Sequence, residues 1–310
     1  MRKTSWRIGQ AIVGATILFF LVRKFLENWH KVQDQPRIQW DIHWEFIAAS
    51  LIVTWAMYGV LIWGWRTVLE GWRESLRIID AARIWTISSL GGYIPGKVWS
   101  IAGMALMAQQ RGVSGTAATG SAVIMQLISI ATGAMIALAL VGTAYLDRFL
   151  GGWGSIAAMA LAAVTLLGAV TLTSPSLTRR IGFLLRRPDA IRPVEPGALA
   201  GAIFANLIAW AGYGIALQLL ALGTLHDVDL SWSTATGAFA ASYVTGYVFV
   251  LLPAGFGVRE FVMIAILAPT IGADRAAALA AVSRVVLTIN QVGAALPFLL
   301  FRSKPLDLSR

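Results

Sequence analysis

The 310-residue chain contains no cysteine, which excludes disulfides, iron–sulfur clusters and thiol nucleophiles. It has three histidines, His30, His43 and His226, in loop-like segments without HExxH spacing, so no metal site is expected. Neither a Walker A loop nor a GxSxG elbow occurs, and no two carboxylates pair within an apolar run. No cofactor and no catalytic residue are therefore expected, and any transport runs downhill, on an ion gradient or with a partner. Charge is also scarce. Charged residues are 13% of the chain, against roughly a quarter in an ordinary soluble domain.

Apolar residues take their place, at 57%, in several windows that reach the ~20 residues needed to cross a bilayer core. Alternating ten-residue strands are absent, so the expected fold is an all-α polytopic membrane protein rather than a barrel. Full spans are expected at about 8–24, 46–65, 116–142, 153–173, 198–222 and 275–301. Two further apolar regions, 84–110 and 232–271, are interrupted by Pro and Gly near their middles. The N-terminal MRKTSWR and the apolar run after it resemble a signal sequence. Arg23 and Lys24 close that run instead of a small-x-small cleavage site, so it reads as a retained first helix.

The net charge of +10 does not point to nucleic acid, because the arginines gather in short interhelical segments. Arg66, Arg73, Arg77 and Arg83 form one group, and Arg179, Arg180, Arg186, Arg187 and Arg192 the other. Both segments are expected on the cytoplasmic side, and those around Asp147 and 225–230 outside. Within 66–80, Val68, Leu69, Trp72, Leu76 and Ile79 share one helical face. That pattern fits a helix lying in the membrane interface or an extension of the preceding span.

Parity then constrains the broken regions. Region 84–110 must return to the side it entered from, and its halves of about 12 residues reach only ~18 Å, against a core of ~30 Å. It is expected to be a re-entrant helical hairpin entering from inside. Region 232–271 enters and leaves from outside, as a second hairpin or as two full crossings. YIPGKVWS (93–100) corresponds to LLPAGFGVRE (251–260), and 112–123 to 272–283 at an offset of about 160, with Ser114 and Asp274 as matching N-caps. The expected organisation is one membrane domain over 1–310: a first helix and external loop (1–45), a first repeat (80–142) and a second, inverted repeat (232–301), without a soluble catalytic domain. About six full transmembrane helices accompany the two re-entrant hairpins. Inverted repeats with broken helices are a transporter architecture.

Broken helices at depth must be buried in protein or line a wet cavity. After Pro95-Gly96 a half-helix starts with free amides and the positive end of its dipole, and Lys97 stands there. At the second break Gly255 and Gly257 open the backbone and Arg259 lies in the first turn. A bound anion would relieve both tips; the bland alternative is a kinked helix with a snorkelling lysine. Glu260 is either a counter-ion to Lys97 or Arg284, or an acid serving its own helix dipole. Arg284, Thr288 and Gln291 form a polar stripe beside Asn290, and Thr119, Gln126 and Ser129 a weaker one. Asn206, Trp210 and Tyr213 share a similar spacing and are read as packing first and cavity lining second. Trp99 is expected at depth, beside Lys97. The expected substrate-binding set is Tyr93, Pro95, Gly96, Lys97, Trp99, Gly255, Gly257, Arg259, Glu260, Arg284, Gln291 and Gln126.

YIPGKVW and LPAGFGVRE, with GVS just after Gln109-Gln110-Arg111, resemble the membrane region of lysylphosphatidylglycerol synthases over roughly 45–300. This is the flippase-like domain of the multiple peptide resistance factor and its stand-alone relatives. The resemblance implies re-entrant hairpins around a lipid cavity, and movement of an anionic or modified phospholipid or a lipid-linked glycan between leaflets. It also implies a prokaryotic-type plasma membrane, here with both termini cytoplasmic. Lys97-Val98-Trp99 stands where many relatives have further glycines. Lysine transfer is not expected, because the chain stops at 310 without the soluble domain. Competing readings are an accessory subunit or enzyme of lipid or cell-envelope glycan synthesis, and a small-solute transporter. Expected partners are the phospholipid or lipid-linked substrate and membrane lipids, with a homodimer or an envelope-synthesis enzyme as candidate protein partners.

Overall fold

The computed structural model of the chain describes residues 40–94, 98–142, 171–184, 192–248 and 257–300, and isolated positions from 153 to 168. Nine helices run in order among these residues: α1 (Trp44–Gly71), α2 (Ile78–Ser89), α3 (Val98–Gln109), α4 (Gly115–Val141), α5 (Pro175–Leu184), α6 (Pro196–Leu222), α7 (Trp232–Val248), α8 (Val258–Ile271) and α9 (Ala273–Leu300). A 3-10 turn, Leu90–Tyr93, extends α2. Regular strands are absent among the described residues, which hold one isolated antiparallel bridge, Trp40 to Leu225. α1, α4, α6 and α9 are long and apolar enough to cross a membrane. The chain is an all-α polytopic membrane protein. The expected span 8–24, and most of 153–173, lie outside the described residues.

Lipid supplies no hydrophobic drive between helices, so close packing through small residues takes over. α1 and α6 show this. A Cβ on Gly64 would stand 2.6 Å from Ala205 Cβ, and one on Gly71 2.8 Å from Ala198 Cβ. Advancing along α1 while retreating equally along α6 defines an antiparallel pair. Ser50 Oγ donates to the Ala216 carbonyl at 2.7 Å across the same seam. Trp65 is fully buried on the other side of α1, and its indole N–H donates to Ser121 Oγ on α4 at 3.0 Å.

The segment 66–80 is not one helix lying in the interface. α1 continues to Gly71, and Arg73 then takes a left-handed φ of 59° in a tight turn before α2 starts at Ile78. Val68, Leu69 and Leu76 are buried in the core, while Ile79 is exposed. The amphipathic face belongs to an extended span followed by a turn.

α2 and α3 form an antiparallel hairpin with 12-residue arms, each ~18 Å long. A Cβ on Gly91 would meet the backbone of Trp99 and Ser100 at 2.8 Å, so no larger residue fits without moving the turn. Gly103 faces Ser88, and at the open end Arg111 Nη1 pairs with Asp80 Oδ1 at 2.9 Å. These three pairings keep one even register along the hairpin. α7 and α8 likewise pack together, with arms of 17 and 14 residues.

Each hairpin leads into a long helix through a left-handed glycine, Gly112 at φ 89° before α4 and Gly272 at φ 86° before α9. Of the two expected N-caps, Ser114 holds by position and Asp274 does not. Ser114 is the N-cap of α4 but makes no side-chain cap bond; its N–H donates to Glu74 Oε1 at 3.3 Å, so a distant acid satisfies the helix end. Asp274 lies inside the first turn of α9, not at its cap. Packing between the halves is reciprocal, with α4 against α7 and α9 against α2.

Candidate functional site

Between the two hairpins lies a cavity of about 230 Å³. Every major element contributes a wall. Tyr58 comes from α1, Trp85 from α2, Tyr93 from the first tip and Gln126 from α4. Trp210 lies on α6, Tyr243 on α7, Arg259 on α8 and Arg284 on α9.

Arg259 occupies the first turn of α8, as expected. Its guanidinium carbon sits 4.8 Å from the Phe239 ring centroid and 5.5 Å from that of Tyr243, so two aromatic faces hold the cation. Its Nη2 is buried without a hydrogen-bond partner. Gly257, at φ 85°, is the N-cap that opens the helix, and its N–H donates to Glu260 Oε2 at 2.7 Å. The other carboxylate oxygen lies 3.4 Å from Arg284 Nε. Glu260 thus fills both roles the sequence left open, serving the helix end and neutralising a neighbour. The 3.4 Å approach is an ion pair without a directed hydrogen bond, since Oε1 is otherwise unbonded.

Arg284 is only 8% exposed, which is why an acid must stand beside it. Its stripe on α9 faces the first tip. The Tyr93 hydroxyl lies 3.2 Å from Thr288 Oγ1 and donates to Gln291 Oε1. One face of α9 therefore receives both hairpins, a phenol from the first and a carboxylate from the second. Asn290, beside the stripe, is completely buried.

The weaker stripe is divided. Gln126 and Ser129 line the cavity, with Gln126 Nε2 buried and unbonded, whereas Thr119 is exposed. Asn206, Trp210 and Tyr213 all line the cavity. Asn206 is also bonded to the Ala202 carbonyl at 2.9 Å, and the Trp210 indole to Thr132 Oγ1 at 3.0 Å, so packing and lining coincide. Trp99, a member of the expected substrate-binding set, is not among the lining residues and is 53% exposed on the protein. α3 starts at Val98, and the close turn at Gly91 already fills the inner side of its first residues. Pro95, Gly96, Lys97 and Gly255 lie outside the described residues.

Sequence reading missed the tyrosine cluster. Tyr58, Tyr243 and Tyr247 line the cavity with Tyr93 and Tyr213, and Tyr243 stacks on Tyr247 at 6.4 Å. The i, i+4 spacing of Tyr243 and Tyr247 on α7 was the available signal. Tyr58 offered none, because only the fold brings α1 to the cavity. Outside the helices, Asp41 accepts from His226 and His43, which holds its carboxyl below the usual range; Asp41 in turn raises the His43 imidazole.

The arrangement defines a class: a polytopic α-helical membrane protein with two helical hairpins flanking an aromatic-lined cavity that holds two arginines. The chain matches the lysylphosphatidylglycerol synthase TM region over residues 7–294 and belongs to that family. Membership fits a function concerned with membrane lipid. No curated protein matches the chain.

Proposed function

We propose that this protein moves an anionic or modified phospholipid, or a lipid-linked glycan, between the leaflets of a plasma membrane. The observation that carries the reading is Arg259: a cation on a helix N-terminus, inside the cavity, with a buried Nη2 that has no hydrogen-bond partner among the described residues. A lipid phosphate would accept from that nitrogen and meet the positive end of the helix dipole at once. Lys97 stands at the corresponding break in the first half and supplies the second cation. The short arms of α2 and α3, the left-handed Gly112 and Gly272, and the reciprocal packing of the two halves support re-entrant hairpins in an inverted repeat. The protein itself is a carrier rather than an enzyme, a reading supported by its family, whose membrane region is flippase-like.

The test is movement of headgroup-labelled phospholipid in proteoliposomes by the wild type and by Lys97→Gln and Arg259→Gln. Each variant should slow movement by at least about ten-fold while eluting as a folded protein, since one charge-assisted contact is worth that much. Unchanged movement in both variants overturns the proposal.

A further inference from the structure

The polar groups of the cavity narrow the headgroup. Three donors on three helices are buried there without a hydrogen-bond partner: Tyr58 Oη on α1, Gln126 Nε2 on α4 and Arg259 Nη2 on α8. Buried donors left unmade cost free energy, so together they describe the complement of a ligand rich in acceptors. Among the described lining residues there is no carboxylate, while two arginines, Arg259 and Arg284, are present. The nearest acid, Glu260, is engaged by the Gly257 N–H and by Arg284. The aromatic faces that could receive a ligand's ammonium group are partly taken, since Arg259 already covers Phe239 and Tyr243. An ammonium group entering here would meet two guanidinium groups and no free acid. Size adds a second limit. The cavity's 230 Å³ falls below the roughly 300–1,000 Å³ that holds drug-sized ligands, so it suits one compact group and not a chain of sugars.

We infer that the ligand is a compact phosphodiester carrying an uncharged, hydroxyl-bearing substituent, and that headgroups bearing an ammonium group, aminoacylated ones included, are rejected. This rests on the lipid-moving reading above and sharpens it to one headgroup class. Arg259 Nη2 and Gln126 Nε2 donate to the phosphodiester oxygens. The Tyr58 hydroxyl, which can donate or accept, meets the substituent hydroxyl. The same chemistry exists in a lipid headgroup and in a soluble glycerophosphodiester.

Native mass spectrometry of the full-length protein in detergent separates these cases. The probes are short-chain phosphatidylglycerol, its lysyl ester, short-chain phosphatidylethanolamine and water-soluble glycerophosphoglycerol. Phosphatidylglycerol should bind at least about ten-fold more tightly than the lysyl ester or phosphatidylethanolamine, because like charges in a cavity are strongly unfavourable. Arg259→Gln should erase most of that preference and Tyr58→Phe should reduce it, whereas Gln126→Leu, which removes a donor to the phosphodiester common to all three lipids, should weaken them alike. Glycerophosphoglycerol binding as tightly as the lipid assigns the site to a free phosphodiester; much weaker binding assigns it to the lipid. Equal or tighter binding of the lysyl ester overturns the inference, as does a preference that survives undiminished in both Arg259→Gln and Tyr58→Phe. In proteoliposomes, equal movement of phosphatidylglycerol and its lysyl ester overturns this inference and leaves the transport reading standing. Movement of no lipid at all overturns the transport reading while the binding order still tests the headgroup.

Discussion

The two hairpins close on one face of α9 but bring it different chemistry. The first tip presents the neutral phenol of Tyr93 to Thr288 and Gln291. The second presents Glu260 to Arg284 and holds Arg259 over two aromatic rings. Their open ends differ in the same way. Asp80 and Arg111 clamp the base of the first hairpin, whereas the base of the second rests on apolar packing of Leu267 and Ile271. The core has two clusters, one joining α1 to α4 with the start of α6 and another joining the rest of α6 with α7 to α9. Two helical hairpins that lead alike into long helices can thus bring unlike chemistry to one cavity. Among the described residues the charges of the cavity come from the second half, and the first half supplies shape and neutral donors.

The sharpest way to break this comparison is topological. The native chain lacks cysteine, so Gln110→Cys and Thr270→Cys, both at exposed hairpin bases, can be labelled singly. An inverted repeat places Cys at 110 inside and Cys at 270 outside, so a membrane-impermeant maleimide applied to intact cells labels only the second. Labelling of both from one face would reduce the two halves to a parallel arrangement. Next comes the charged tip. Glu260→Ala removes the acid beside buried Arg284 and the acceptor of the Gly257 N–H, and should destabilise by about 3 kcal/mol in a thermal or denaturant melt. A loss as small as that of a surface pair would mean the second tip is not held by charge.

The neutral tip should be more forgiving. Tyr93→Phe keeps the ring and loses the hydroxyl contacts with Thr288 and Gln291, for about 1 kcal/mol. If it costs as much as Glu260→Ala, the contrast between the tips fails. The smallest effect lies outside the hairpins, where Asp41, His43 and His226 tie the start of α1 to the loop after α6. Asp41 is lowered, chiefly by His226, so its share is present above about pH 4 and is lost as pH falls through its folded value. His43 is raised by Asp41, so its share is full below about pH 6.5 and is lost as pH rises. The tether is therefore firmest between those limits. Asp41→Asn should speed hydrogen exchange at the amides of Asp41 and His43, which donate to Thr224 and Gly223, and leave the global melt unchanged.

Much of the fold was legible because lipid imposes simple rules. Long apolar windows set α1, α4, α6 and α9 to within a few residues, apart from the end of α1, and Ser114 marked the start of α4. The polar stripe of Arg284, Thr288 and Gln291 was readable because a charge on an apolar helix must find the interior. The face shared by Val68, Leu69 and Leu76 left two readings open, of which the extended span holds, since burial against neighbouring helices and burial in an interface leave the same periodicity. Glu74 at the end of α4, and Asp80 with Arg111, were invisible because their partners come from distant parts of the chain.

Composition and periodicity alone determined that this chain is helical, spans a membrane and breaks two of its helices, since a bilayer leaves a backbone few ways to satisfy its hydrogen bonds. Only the tertiary structure decided what the helices flanking those breaks enclose. It gathered Tyr58, Gln126 and Arg259 from three helices around one cavity and left each with an unanswered polar atom. Unmet valence of that kind depends on what packs around a side chain, and no spacing along a sequence records it.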